Sequence, residues 1–154
     1  MGVEALCHML QTNDFFVSRY AGDLTHEESL VRPLGQGNSF YWVLGHMVVY
    51  RDALLETLGQ PRLHPEAERA HFKRNADPSA RATPIALETL AAEFETAGAR
   101  LREAMASTPA EQLASAYDAK FSIEQRLVHL TWHESYHAGQ LALLHRLAGK
   151  ERVV

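Results

Sequence analysis

The stretch SIEQRLVHLTWHESYHAGQLALLHRLAG, residues 122–149, decides the fold of this chain. Its apolar residues recur every three or four positions, which is the spacing of one face of an α-helix. Ser122 and Gln125 form a capping box at its start, and Gly149 is placed for a left-handed cap at its end. The stretch therefore predicts a helix from Ile123 to Ala148.

Three other segments have the same helical spacing. They run from about Val3 to Tyr20, from about Phe40 to Leu58 and from about Pro84 to Ala106. Asn38 and Ser39 are N-cap candidates for the second of these segments. Thr83 is placed to cap the third, with Pro84 at its first helical position, where the missing N–H does no harm.

The connections complete the predicted architecture. The stretch from Gly59 to Thr83 contains three prolines and little periodicity, so it predicts a long crossover with room for one helical turn. Capping boxes at Thr25–Glu28 and Thr108–Glu111 predict two short helices. Because no segment alternates like a strand, we predict an all-α four-helix bundle, with residues 1–154 as a single domain and the crossover between the second and third helices.

Composition limits the classes of function. Fifteen lysines and arginines against 19 aspartates and glutamates give a net charge of −4, which argues against nucleic acid as the main partner. The densest basic stretch, residues 69–74, is interrupted and predicts a solvated surface. The one cysteine, Cys7, excludes an intramolecular disulfide and is predicted to lie in the core. Neither a membrane span nor a signal peptide is evident, so a cytoplasmic location is expected.

The string His133-Glu134-Ser135-Tyr136-His137 places two histidines one above the other on a helix, so that both imidazoles can reach one ion. It also has the form H-E-x-x-H of zinc proteases. The extended protease pattern, however, needs a third ligand downstream, and Leu143 stands where its last histidine belongs. A protease of this kind also binds substrate along a strand edge, and no strand is predicted. A zinc protease is therefore disfavoured.

A third histidine comes from the second helix. His46 lies in one of the most apolar windows of the chain, directly after Gly45. Glycine costs roughly 1 kcal/mol of helix propensity relative to alanine, so close approach of a neighbouring helix or a ligand is expected there. Taken alone, His46 would be a buried neutral histidine with one hydrogen bond. Together with His133 and His137 it makes a three-histidine site, which is typical of catalytic metal sites with open positions.

Two other polar residues of the last helix need separate interpretations. His129 lies about 80° around the helix from His137, so it is left out of the ligand set. Its role stays open between contact with the site, contact with substrate and plain exposure. Glu134 lies on the apolar seam, where it either accepts a hydrogen bond from a ligand imidazole or pairs with an arginine inside the bundle, such as Arg19, Arg51 or Arg100. We favour these interpretations over a general base.

The combination of Trp42-x-x-x-His46 with His133-Glu-x-x-His137-Ala-Gly-Gln-Leu141 resembles the DinB-like superfamily. The resemblance covers nearly the whole chain. It implies a four-helix bundle, often dimeric, that binds a divalent metal ion, zinc or nickel, through His46, His133 and His137. Relatives include bacillithiol- and mycothiol-dependent S-transferases, in which the metal activates a low-molecular-weight thiol.

The resemblance implies a metal-dependent thiol S-transferase or hydrolase that acts on small electrophilic molecules. Its expected partners are a small-molecule thiol, an electrophilic substrate and a second copy of the chain. Tyr50 and Gln140 are candidates to position substrate. The alternatives are a non-enzymatic, metal-stabilised binding or dimerisation module, and a bundle whose histidines bind nothing. An aromatic face around 40–42 would suit a dimer seam, although core packing explains these residues as well.

Overall fold

Four long helices carry the fold. In a computed structural model, which describes residues 2–77 and 85–153, the elements follow in the order that the sequence predicts. The long helices are α1 (Val3–Gly22), α3 (Phe40–Thr57), α4 (Leu87–Ser107) and α6 (Ile123–Leu147), and the short ones are α2 (His26–Ser29) and α5 (Ala110–Ala114). The described residues form no β-strand, only one isolated bridge between Ala116 and Ser122.

The predicted helix ends are mostly confirmed. The capping box of Ser122 and Gln125 opens α6, and the Ser39 hydroxyl accepts the amide of Trp42 at the start of α3. Gly59 and Gly149 have φ of +71° and +85°, so both turn the chain in the left-handed region after a helix. The predicted cap at residues 83–84 lies outside the described residues. Helix α4 begins at Leu87, about three residues later than the periodicity predicts.

One short capping box is confirmed and the other is wrong. Thr25 and Glu28 form both reciprocal hydrogen bonds of the box. Thr108 instead donates its hydroxyl to the carbonyl of Ala104, 2.7 Å away, and so satisfies a free carbonyl at the end of α4. As a result α5 begins after Pro109 without a side-chain cap. Both ends of a helix leave backbone groups unpaired. Here the Thr108 hydroxyl bonds to a carbonyl of α4 instead of an amide of α5.

The long helices pack as a square. Helices α1 and α3 stand at opposite corners, and each of them packs against both α4 and α6. Apolar side chains fill two clusters along the bundle axis, one around Leu44, Phe94 and Leu141, and one around Leu10, Leu101 and Leu127. Cys7 is partly buried and packs against the second cluster, in line with its predicted core position. Burial raises the pKa of its thiol.

The aromatic residues at the start of α3 belong to the core. Phe40, Tyr41 and Trp42 are all buried, with at most 8% of their surface exposed. Of the two interpretations of these residues, core packing is confirmed, because they pack inside the subunit. None of the helices in the described part of the chain is long and apolar enough to cross a membrane.

The crossover between α3 and α4 contains a 3₁₀ helix, Glu66–Phe72, which packs against α3. The prediction of a solvated basic surface at residues 69–74 is wrong for two of these residues. Arg69 is buried and pairs with Glu93 at 2.8 Å, and Phe72 is fully buried. Arginine can be buried when its charge is paired. The crossover thus packs against α3 through its 3₁₀ helix.

Candidate metal centre

Helices α3 and α6 bring three histidines together at their contact. His46 comes from α3, and His133 and His137 come from consecutive turns of α6. One ring nitrogen of each lies within 4.8 Å of a ring nitrogen of the other two. The ring centroids are 5.7 Å apart for His46 and His133, 5.0 Å for His46 and His137, and 4.4 Å for the pair on α6. The three residues singled out by spacing therefore converge on one point.

Hydrogen bonds on the far side of two rings fix which nitrogen faces that point. His46 Nδ1 donates to the carbonyl oxygen of Phe72 at 2.6 Å, because a carbonyl can only accept. His137 Nδ1 donates to Oε1 of Gln140 at 2.7 Å. The amide of Gln140 is itself oriented, since its Nε2 donates to the hydroxyl of Tyr136 at 3.0 Å. Both histidines therefore present an unprotonated Nε2 to the cluster, as ligand histidines commonly do.

The chemistry of the cluster fits a bound cation. Nε2 of His133 and Nε2 of His137 are 3.1 Å apart. Two imidazole nitrogens bound to one ion at about 2.0–2.1 Å lie about 2.9–3.3 Å apart, depending on the angle at the metal. Either a metal ion bound to both nitrogens or a proton shared between them allows this close approach. Nδ1 of His133 is buried and has no hydrogen-bond partner among the described residues, so no outer hydrogen bond fixes the tautomer of this ring.

Burial keeps the three rings neutral. Desolvation lowers the pKa of His46 to about 4, and it likewise lowers the pKa of His133 to about 4. The pKa of His137 is also lowered, again chiefly by burial. Neutral imidazole is the form that binds metal ions, so all three rings are ready to act as ligands at neutral pH.

Gly45 allows the crossover to reach His46. A Cβ at position 45 would overlap the aromatic ring of Phe72, which lies directly against the helix backbone. This contact brings the carbonyl of Phe72 to Nδ1 of His46. The close approach expected from the cost of glycine in a helix is therefore present, and the neighbour is the 3₁₀ helix of the crossover.

Two aromatic side chains hold the imidazole planes. Trp42 stacks on His46 with ring centroids 4.9 Å apart and an angle of 16° between the planes. The indole N–H of Trp42 donates to the carbonyl of His71 at 2.9 Å, which fixes the indole on the crossover. Tyr50 contacts both sides of the cluster, with centroids 4.6 Å from His46 and 4.3 Å from His133.

The three histidines line a cleft of about 770 Å³. The walls come from α3, α6 and the end of the crossover, and they are polar for the most part. Besides the histidines and aromatic residues already described, the cleft is lined by Asn38, Arg74, Asn75, Ala76, Arg126 and Leu130. A volume of this order suits a small molecule, so the three nitrogens face a space that a ligand can enter.

Comparison with known sequences places this geometry in a family. A profile of the DinB superfamily matches residues 10–141, which include all three histidines of the cluster. The chain belongs to the DinB superfamily. The fold also matches the crystal structure of a conserved protein from Enterococcus faecalis, with a TM-score of 0.73 and 17% identity over 97% of this chain and 99% of that chain. At this identity the likeness shows the fold alone. No curated protein matches the sequence.

In this DinB-superfamily chain, Glu134 does not face the cleft. Its carboxylate is buried and accepts hydrogen bonds from the guanidinium of Arg51 at 2.7 and 2.8 Å. Asn13 donates a further hydrogen bond at 3.0 Å. Of the interpretations weighed from the sequence, the pairing with an arginine inside the bundle is confirmed. The structure therefore offers no general base at position 134.

The other residues that the sequence suggested for the site lie at different places around the three histidines. His129 is exposed, lines the cleft and stacks on Phe121 and Trp132, with centroids 5.8 and 6.0 Å away, so it stays outside the group of three. Tyr50 lines the cleft, as a substrate-positioning residue must. Gln140 is not among the lining residues, and it holds His137 instead.

Sequence reasoning missed the Phe72 carbonyl, Arg74 and Arg126. The carbonyl could not be found, because a backbone group carries no sequence signal. Arg126 could have been found, since it precedes His133 by seven residues and so lies on the same face of α6. Arg74 lies on the crossover, whose course over the site depends on the contact between Phe72 and Gly45.

Proposed function

We propose that this protein binds a divalent metal ion through His46, His133 and His137 and uses it to activate a small-molecule thiol or water. The activated group then attacks a small electrophilic molecule, which makes the protein a metal-dependent S-transferase or hydrolase. The observation that carries the proposal is the convergence of three neutral imidazoles in an open cleft, two of them oriented by outer hydrogen bonds.

The donor set supports zinc or nickel. Imidazole is a borderline ligand that suits zinc, nickel, copper and iron, whereas calcium and magnesium prefer oxygen ligands. A divalent ion held by three histidines supplies Lewis acidity, which lowers the pKa of a thiol or water in an open coordination position. Three protein ligands leave such a position, whereas structural zinc sites usually take four.

The residues of the chain supply orientation and shape. Phe72 and Gln140 hold the protons of two ligand rings on the side away from the cleft, so that both Nε2 atoms stay free. Trp42 and Tyr50 prevent the rings from turning, because each lies against an imidazole plane. The phenol of Tyr50 also borders the cleft, where it would contact a substrate bound at the histidines.

The non-enzymatic module remains the second candidate. One observation favours it: the three histidines join α3 to α6, so an ion held there would tie two helices together. The resemblance also predicts a homodimer, and that prediction is tested by the mass of the protein in solution. A structural ion should have no coordination position open to small molecules, and its removal should strongly lower the thermal stability of the protein.

Elemental analysis of the protein purified without added metal is the first test. We expect close to one zinc or nickel ion per chain. The same preparation should then be screened with cellular thiols and model electrophiles, before and after treatment with a chelator. Turnover that is lost with the chelator and restored by zinc or nickel would support the enzyme. A metal-free protein would overturn the proposal, and a metal-bound protein without turnover that melts much lower after chelation would favour the structural module.

A further inference from the structure

Two arginines project into the cleft beside the three histidines. Arg74 comes from the end of the crossover and Arg126 from the first turns of α6. No aspartate or glutamate is among the residues that line this cleft, although the whole chain carries a net charge of −4. An acidic protein thus presents a cleft whose ionised side chains, in the part that the structure describes, are both cationic.

Neither guanidinium forms an ion pair within the described residues, although the charge of Arg126 helps to lower the pKa of Asp118 after the hydrogen bonds from the backbone amides of Lys120 and Phe121. No carboxylate oxygen of residues 2–77 or 85–153 lies within ion-pair distance of Arg74 or Arg126. The side chain of Asp118 accepts the backbone amides of Lys120 and Phe121 instead, at 2.7 and 2.9 Å. In contrast, Arg51, Arg62, Arg69 and Arg102 all pair with carboxylates elsewhere in the molecule.

Arg126 is held in place by an aromatic contact instead of a contact ion pair. Its guanidinium lies over the ring of Tyr117, 5.3 Å from the centroid, and its Nε is buried without a hydrogen-bond acceptor among the described residues. The terminal nitrogens of Arg126 form no hydrogen bond to another described residue, so they are available to a ligand in the cleft that Arg126 lines. The flat fork of a guanidinium matches the oxygens of a carboxylate or a phosphate.

We propose that the substrate or thiol of this site carries an anionic group, a carboxylate or a phosphate, which Arg126 and Arg74 bind. The placement of its reacting atom at the histidines rests on the proposed function, whereas the anion site itself does not. Arg126 precedes His133 by seven residues, or about 10 Å along the axis of α6. The anionic group is therefore several bonds away from the reacting atom.

The anion site is tested first without reference to the metal. Succinate, inorganic phosphate and the neutral succinamide are titrated into the full chain, and the side-chain Nε–H resonances of the arginines are followed by NMR. We expect saturable shifts at Arg126 and Arg74 with the anions and none with succinamide. The anion that binds with the higher affinity indicates whether the substrate carries a carboxylate or a phosphate. Shifts at Arg126 no larger than those at the exposed Arg152 would overturn the inference.

The second test links the anion site to the histidines. Binding of 6-mercaptohexanoate and of 6-mercaptohexan-1-ol to the zinc-supplied protein is measured by calorimetry. These thiols have the same number of carbon atoms and differ in the terminal group, which is an anionic carboxylate in one and a neutral alcohol in the other. We expect the carboxylate to bind at least about tenfold more tightly. Arg126→Gln should bring the two affinities together by weakening the acid alone, and Arg152→Gln should preserve the difference.

The outcomes separate the two proposals. If the alcohol binds but the carboxylate gains nothing, the anion site is refuted while metal-dependent thiol binding stands. If neither thiol binds although succinate or phosphate shifts Arg126, the anion site stands and the proposed thiol chemistry fails. Thermal melting of Arg126→Gln and Arg74→Gln shows that any loss of binding occurs in folded protein.

Discussion

The guanidinium of Arg51 donates two hydrogen bonds to the carboxylate of Glu134, at 2.7 and 2.8 Å, inside the bundle. Both side chains are almost completely buried, with 0% and 2% of their surface exposed. Asp14 pairs with the same guanidinium at 2.6 Å. The ion pair thus joins α3 to α6 on the side of the helices away from the cleft. His133 and His137 line the cleft, whereas Glu134 between them is buried in the bundle.

Replacing Glu134 with glutamine should destabilise the protein strongly. The change leaves a buried arginine charge only partly compensated, and breaking a buried pair in this way costs about 3–5 kcal/mol. The free energy of unfolding is measured with urea. Glu103→Gln is the matched control, because Glu103 is exposed on α4. Metal bound per folded Glu134→Gln molecule should stay unchanged. A variant of normal stability that has lost turnover would show instead that Glu134 acts as a base.

Gly45→Ala should weaken both the fold and the metal centre. The added methyl group overlaps the ring of Phe72, and overpacking of this kind costs about 1–3 kcal/mol. Displacement of Phe72 also removes the carbonyl that orients His46. Gly139→Ala is the control, because no atom lies within 4 Å of a Cβ there. This control should gain up to about 1 kcal/mol from helix propensity. Equal effects of the two substitutions on melting temperature would contradict the predicted contact.

His137→Ala should abolish most metal binding in a protein that still folds. The core clusters do not depend on this ring, so circular dichroism should show the normal helix content. Elemental analysis then measures the zinc or nickel that remains. His129→Ala, eight residues away on the same helix, should keep its metal because His129 is outside the group of three. Unchanged metal in His137→Ala would refute the site.

Gln140→Leu should reduce metal affinity without removing a ligand. The substitution deletes the acceptor of the His137 Nδ1 proton, so the ring is free to turn or change tautomer. Loss of such an outer hydrogen bond typically costs 10- to 100-fold in affinity. Competition with a chromogenic chelator measures the change. Gln140→Glu keeps an acceptor and should retain most of the affinity. If leucine and glutamate behave alike, the hydrogen bond to His137 does not support the site.

The metal-free protein should lose stability as the pH falls from about 6.5 towards 4. The folded-state pKa values of His46 and His133 are about 4, below the ordinary value of 6.5. In this range the unfolded chain therefore takes up protons that the folded chain does not, which favours unfolding. Urea titrations at several pH values, after chelation, measure the effect. His133→Gln removes one of these groups and should give a flatter pH profile. If the stability of His133→Gln and of the unsubstituted protein depends on pH in the same way, the pKa of His133 is not lowered in the folded protein.

Local sequence signals accounted for most of the helices. The capping box at Ser122 and the glycines at positions 59 and 149 act within one or two turns of chain, so their effect does not depend on the rest of the fold. The late start of α4 and the role of Thr108 were missed. The hydroxyl of Thr108 can bond to the helix before it or to the helix after it, and the structure shows that it bonds to the helix before it.

The sequence by itself determined four helices and the alignment of His133 with His137, because helical periodicity depends only on spacing along the chain. It also indicated His46 as their partner. Only the tertiary structure decided that Glu134 pairs with Arg51, that the Phe72 carbonyl orients His46 and that Arg74 and Arg126 share the cleft with the histidines. Most of these groups are distant in sequence. Their contacts depend on how helices and crossover pack, which spacing alone does not specify.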